Sequence, residues 1–223
     1  MKVIARILLR FLLRLDDVTT KWINRFALMY GGGIHVKHRL MKYHDFFVSR
    51  IRSGEKVLDI GCGVGAVAYS LATKAGAHVT GIDIDSKNIE KAVSDYQHPN
   101  IVFVHGDART DLPISQCDVV VLSNILEHLE YRPEFLKDVQ SRFEPNRMLI
   151  RVPMFNRDWR VALRKELELF HFSDPTHFTE YTDESFAKEI AASDLRIHHI
   201  EYCWGEIWAE VRPCSSPSTD WNE

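Results

Sequence analysis

No apolar run in this sequence approaches the roughly 18 uncharged residues that a membrane-crossing helix requires, so a spanning segment is not expected. The four cysteines, at positions 62, 117, 203 and 214, form no C-x-x-C pair and stand at no ligand-like spacing from histidine. Neither a disulfide framework nor a zinc site is indicated, and the reduced thiols of a cytoplasmic protein are the expectation. A secretory signal is also missing. The first apolar stretch is threaded with cations, and Asp16-Asp17 follow where small residues of a cleavage site would stand. A strong overall charge is absent too, since 28 Lys/Arg face 31 Asp/Glu for a net of -3. What is present suits one α/β domain with an elaboration, because 45% hydrophobic residues in 223 supply a continuous core.

The charge that exists is unevenly spread. Residues 1–50 hold ten Lys/Arg against three Asp, and the remainder holds 18 basic against 28 acidic residues. A basic arm points to an anionic surface, whereas the acidic body argues against broad nucleic-acid binding. Within the arm, Lys2, Arg6, Arg10 and Arg14 recur at i, i+4 and stack on one narrow helical stripe. Apolar residues from Val3 to Leu15 fill the rest of residues 2–15. Such a helix can lie among the headgroups at the inner face of a membrane. It can equally pack on the body or on a second subunit with its arginines reaching out. Residues 18–30 predict a second helix, and Gly31-Gly32-Gly33 marks a hinge. The expected organisation is an arm over 1–33, a main domain over 34–212 and a flexible Ser/Pro-rich tail over 213–223.

The main domain is organised around Val57-Leu58-Asp59-Ile60-Gly61-Cys62-Gly63-Val64-Gly65-Ala66. Apolar residues fit a strand buried on both faces, and three alternate glycines then lead into a helical pattern. Glycine tolerates positive φ and lets a ligand approach backbone N–H groups at a positively polarised helix start. Strand, glycine loop and helix in this order form a nucleotide-cofactor cradle, though the G-x-G-x-x-A spacing alone does not separate a dinucleotide from another adenosine ligand. A second strand, His78 to Asp83, ends in an acid 22 residues after Gly61, where such folds place a carboxylate on ribose hydroxyls. Two more strands run into His105-Gly106-Asp107-Ala108 and Ser123-Asn124.

With these four motifs in order, LDIGCGVG, GIDID, HGDA and the strand leading into NILEHL, the sequence resembles the class I S-adenosyl-L-methionine (SAM) dependent methyltransferases over about residues 34–212. The resemblance implies a Rossmann-like α/β fold with helices on both faces of a mostly parallel seven-stranded sheet and an antiparallel last strand. It also implies SAM as cofactor. Asp59, Gly61, Cys62 and Gly63 would then surround the methionine portion, Asp83 and Ile84 the ribose side, Asp107 and Ala108 the adenine edge, and Ser123 and Asn124 the sulfonium. By the same resemblance, the helical pattern from Val36 to Ile51 is a lid in which His38, Arg39 or Tyr43 reaches the SAM carboxylate.

Downstream, helices are expected near residues 65–75, 86–96, 132–143, 160–170 and 183–192, the last with Thr182 as N-cap. Strands are expected over 147–152, 195–202 and 206–212, the final two as a hairpin at Trp204-Gly205. Between them lies a long loop, HFSDPTHFTEYT, of a length that is commonly functional. Methyl transfer mainly needs alignment, but an oxygen acceptor benefits from a base, and His128 and His177 are the candidates. Glu127-His128 also resembles the E-x-x-E-H metal signature of quinone-ring and small-RNA O-methyltransferases, with His177 placed like their later histidine. Asn124 replaces the first glutamate, a poorer hard-cation ligand, and no metal site is assigned. The HFSDPTHFTEYT and WGEIWAEV runs resemble bacterial methyltransferases of polysaccharide and cell-envelope assembly. A small molecule, glycan or lipid-linked precursor is therefore the expected acceptor, a quinone precursor the alternative, and a non-catalytic, membrane-recruited binding module the reading from another class. Oligomeric state is left open.

Overall fold

The computed structural model describes residues 1–33, 35–111 and 116–214. Seven strands form one sheet: β1 (Lys56–Ile60), β2 (His78–Asp83), β3 (Ile101–His105), β4 (Val119–Ser123), β5 (Arg147–Pro153), β6 (Leu195–Cys203) and β7 (Glu206–Pro213). Their order is β3-β2-β1-β4-β5-β7-β6, and only β7 runs against the rest. The reversal follows from the chain. Just Trp204 and Gly205 separate β6 from β7, and a parallel connection needs a crossover of a dozen residues or more. Both adopt positive φ (55° and 73°), the geometry of a tight hairpin matched to strand twist. β7 then enters between β5 and β6, and Met154 N–H fastens the turn by donating to Gly205 O at 2.8 Å.

The continuous apolar runs of β1 and β4 reflect burial on both faces. Val120 and Leu122 join Leu58, Ile60, Met148 and Ile150 in one core, while Val119 and Val121 join Val57 and Leu149 in the other. α6 (Arg132–Phe143) and α8 (Asp183–Ala192) cover the first through Leu136, Val139, Phe143, Phe186 and Ile190. α3 (Tyr43–Val48) and α4 (Ala66–Ser70), which continues as a wider π turn over Leu71–Ala75, cover the second. Helix starts are capped as the sequence signals. Asp85 accepts from Lys87 N–H at the head of α5 (Ser86–Asp95), and Thr182 and Ser185 form a reciprocal capping box for α8.

Two expectations are corrected. The lid pattern is two short helices, α2 (Lys37–Met41) and α3, because Lys42 turns left-handed (φ 52°) between them. The arm is one 29-residue helix, α1 (Lys2–Tyr30), rather than two. No glycine or proline interrupts it, and Asp16 and Asp17 are held as ion-pair partners by α7 (Trp159–Glu166). Arg164 reaches Asp16 at 3.0 Å, Asp17 at 2.9 Å and Leu13 O at 2.8 Å. Arg10 donates to Leu167 O at 2.7 Å and Arg6 lies 3.7 Å from Glu168, so half of the cation stripe faces the body. Leu13 is the arm's buried residue. No helix among the described residues is long and apolar enough to cross a membrane. Of the expected tail, Pro213 closes β7, and residues 215–223 lie outside the described residues.

Candidate active site

The carboxyl ends of β1, β2 and β4 converge on the glycine loop. Gly61, Gly63 and Gly65 all take left-handed φ (68°, 53° and 83°), and a Cβ on Gly61 would lie 2.0 Å from Ile125 Cδ1. That contact brings the loop after β4 against the loop after β1, so Ser123 and Asn124 share the edge with Gly61. Asp83 accepts from Gly63 N–H (2.8 Å), Asp85 N–H (2.9 Å) and Asn88 Nδ2 (3.2 Å), which makes its carboxylate a clasp on the glycine loop. Asp59 is buried with Oδ2 unpartnered, and burial, reinforced by Asp83, pushes its carboxyl up to about 7. A buried carboxyl poised this way gains from a cation. The ammonium and sulfonium of SAM are such groups. Asn124, left-handed at φ 58°, likewise keeps a buried Oδ1 without a partner.

Other expected contacts are placed differently. Cys62 turns its sulfur toward Gly81 and into the sheet, so its backbone alone faces the cradle. Burial pushes that thiol far up, as an inert structural cysteine requires. Ile84 is 76% exposed beside Asp83, an apolar face free to lie against a purine or ribose. Asp107 is gripped by the Arg109 guanidinium at 2.7–3.1 Å, which holds its carboxyl below the usual range. Ala108 packs against the core and offers its carbonyl to Arg142 at 3.2 Å.

Sequence reasoning missed the buried wall opposite Asp59. Arg151 on β5 binds Glu206 on β7 bidentately (2.6 and 2.7 Å) and lies 3.8 Å from the centroid of Tyr43. Tyr43 in turn meets His38 Nδ1 at 2.6 Å. Of the lid residues, His38 and Tyr43 therefore join the site, whereas Arg39 is exposed. The available signal was a lone charge inside the apolar run Met148-Leu149-Ile150-Arg151-Val152.

Beyond Asn124, a short 3₁₀ turn (Leu126–His128) carries Glu127 and His128, and the long loop returns His177 to them. Phe178 N–H donates to Glu127 O at 2.8 Å, fixing that return. Glu127 is fully buried, neither carboxyl oxygen has a partner, and burial pushes it up to about 8. The imidazoles of His128 and His177 pack edge-on with centroids 4.6 Å apart. Each is oriented from behind. Thr176 donates its hydroxyl hydrogen to Asp174 (2.5 Å), so toward His128 Nδ1, at 2.8 Å, its oxygen accepts. His177 Nδ1 lies 3.2 Å from Glu180 Oε1, and a carboxylate only accepts. Both rings thus carry a proton on Nδ1, so that in the neutral form the lone pair is on Nε2. Burial and the neighbouring His177 lower the pKa of His128, favouring the neutral ring. Ligand-type atoms of Glu127, His128 and His177 lie within 4.8 Å of one another. Two imidazoles, an unpartnered carboxyl and hydrogen-bonded second partners fit a divalent cation as well as they fit a general base. The sequence brought these three residues together through the metal signature, and Asn124 in place of its first glutamate was the reason that no metal site was assigned.

A family model described as a methyltransferase domain matches residues 33–200. The chain belongs to the class I SAM-dependent methyltransferases. Solved relatives share the fold: the magnesium protoporphyrin IX methyltransferase of Synechocystis, determined with bound SAH, is 21% identical with a TM-score of 0.61 over 81% of this chain and 85% of its own. A TehB-like methyltransferase from Corynebacterium glutamicum is 19% identical with a TM-score of 0.57, covering 89% and 96%. Among curated sequences, the mitochondrial ubiquinone biosynthesis O-methyltransferase of Schizosaccharomyces pombe is 33% identical over 54% of this chain and 48% of its own length. A Rickettsia bellii enzyme of the same name is 28% identical over 67% and 63%. The chain thus aligns with about half to two thirds of these curated relatives. SAM is therefore the cofactor, and the dinucleotide reading of the glycine spacing falls away.

Proposed function

We propose that this methyltransferase moves the methyl group of SAM to a hydroxyl oxygen of a small acceptor, of the glycan or lipid-linked envelope-precursor type. The observation that carries the reading is the Glu127, His128 and His177 group, on the same sheet edge as the unpartnered Asp59 and Asn124 oxygens. Displacement at the sulfonium methyl needs an aligned, electron-rich oxygen, and a neutral histidine lone pair removes the hydroxyl proton as the bond forms. Asp59 faces the cationic cofactor, the Gly61–Gly65 loop receives its backbone-directed groups, and Tyr43 with Arg151 closes the methionine end.

A second reading, a quinone-ring precursor as acceptor with a divalent cation, is favoured by the same grouping and by the names of the curated relatives. Glu127, His128 and His177 would hold the cation, which would lower the pKa of a phenolic hydroxyl.

We further infer that α1 meets an anionic membrane surface. Arg6 and Arg10 turn to the body, so the outward face is Ile4, Leu8, Phe11, Leu15, Trp22 and Phe26, all exposed, rimmed on one side by exposed Arg14, Lys21 and Arg25. An apolar face with a cationic rim suits the headgroup boundary. α7, on which the arm docks, leads into the loop bearing His177, which sets the acceptor side toward that surface.

The test is release of S-adenosylhomocysteine and a mass gain of one methylene when the chain and SAM meet envelope-precursor and quinone-precursor extracts, with and without a chelator. Turnover on the first that survives chelation supports the main reading. Chelator-sensitive turnover on the second supports the alternative. SAM binding without turnover on either would leave a binding module and overturn both.

A further inference from the structure

We propose that a cavity at the opposite edge of the sheet from the cofactor cradle binds a compact polyanion carrying phosphate groups. The cavity has a volume of about 500 Å³ and is lined by Arg50, Arg52, Arg147, Arg196 and Arg212. It lies where β1 and β5 begin. Gly61 stands five residues beyond Lys56, about 16 Å along the strand, so the two sites are separate.

Its charge is not balanced from within. Glu55 and Glu210 are the acidic residues of the lining, which leaves three positive charges in excess. Both are already engaged. Glu55 binds Arg147 through both oxygens (3.0 and 2.6 Å), and Glu210 binds Arg212 at 2.7 Å. Arg50 reaches out to Glu201 at 2.7 Å. Glu55 also accepts from Arg52 backbone N–H at 2.8 Å, but among the described residues the guanidinium groups of Arg52 and Arg196 form no ion pair.

The strand register supplies a second, independent sign. Arg196 on β6 and Arg212 on β7 are directly opposite one another. Like charges at that cross-strand spacing repel and destabilise the pair. An anion between them converts the repulsion into two charge-assisted contacts, and guanidinium forks match phosphate oxygens bidentately. Ile51 is the aliphatic residue of the lining, and no aromatic ring lines the cavity among the described residues. Nothing there stacks on a base, so the ligand is a small phosphorylated species rather than a nucleoside or a strand. The acidic excess of residues 51–223 also repels a long polyanion. This inference is independent of methyl transfer.

Pyrophosphate is the probe, titrated calorimetrically into the full chain at fixed ionic strength, with citrate and ATP as parallel arms. Pyrophosphate should bind and raise the melting temperature, and Arg52→Gln with Arg196→Gln should weaken it at least about tenfold while SAM affinity holds within about twofold. ATP binding no better than pyrophosphate supports a compact phosphate ligand, and citrate outbinding pyrophosphate overturns the phosphate assignment. A second measurement guards against a folding artefact. Without polyanions, Arg196→Gln should melt higher than the parent, since one of two repelling charges is gone, and saturating pyrophosphate should reverse the order. Pyrophosphate acting no differently from chloride at equal ionic strength, or Arg196→Gln melting no higher in its absence, overturns the site.

Discussion

His177 sets its Nδ1 3.2 Å from Oε1 of the fully buried carboxylate of Glu180, Ser173 donates to the same oxygen at 2.7 Å, and Arg157 pairs with Oε2. The ring is therefore fixed in orientation and tautomer before any acceptor arrives. Glu180→Gln should lower methyl transfer about 10- to 100-fold, the usual effect of losing such an orienting partner, with SAM affinity unchanged. Removing the anion also strands Arg157, so urea denaturation should report a loss of roughly 2–3 kcal/mol, below the range for fully buried pairs because Arg157 keeps some exposure. Full turnover in the variant would remove Glu180 from this role.

Asp59 gives a pH signature. Its folded carboxyl sits at about 7 against an ordinary 3.8, so between those values the folded state holds a proton that the unfolded chain has released. Stability should fall as pH rises through that window, by up to about 1.4 kcal/mol per unit, and level off above it. A cationic cofactor favours the ionised form, so SAM affinity should rise over the same window. Asp59→Asn should flatten both curves, read by chemical denaturation and calorimetry.

Gly61→Ala should cost about 2–4 kcal/mol, combining left-handed strain with overpacking against Ile125. Adding Ile125→Ala removes the obstructing methyl but not the strain. The double variant should therefore be less destabilised than the two single losses together. Strict additivity in a double-mutant cycle would show that the two loops do not touch.

For the arm, Phe11→Glu with Leu15→Glu should abolish co-sedimentation with phosphatidylglycerol-containing vesicles while leaving the melting temperature unchanged, because both side chains are exposed. Each apolar group is worth about 1.5–3 kcal/mol on burial, enough for a loss of well over tenfold. These substitutions are cleaner than deletion of residues 1–17, which would uncover the buried Arg164. If full-length protein ignores vesicles and the substitutions instead dissociate an oligomer, α1 is a subunit interface.

Much of the cofactor side was legible because its signals are local. The glycine spacing, the acid ending β2, the Thr182 cap and the Trp204-Gly205 turn are each set by a few neighbouring residues, and each holds in the structure. Arg151, Glu206, Glu180 and Arg157 were not legible, since their meaning lies in pairs 55 and 23 residues apart. The continuous arm was misread for a related reason. Asp16-Asp17 looks like punctuation until Arg164, 147 or 148 residues away, supplies the counter-charge. Glu127 was noticed only through a motif, whereas its two orphaned oxygens depend on what the long loop seals over it.

The placement of β7 between β5 and β6 bears on how the protein is made. A ribosome delivers β6 first, at a moment when the free edge of β5 is bare and β6 already has the direction needed to pair with it in parallel. That pairing must be avoided or undone before the next strand can slip in, and a nascent chain waiting in this state offers two open edges to its neighbours. Arg196 and Glu201, spaced along β6, keep the outermost strand charged during that wait and afterwards. Neutralising those two side chains should then raise aggregation during refolding, when β6 can meet a neighbour before β7 takes its place.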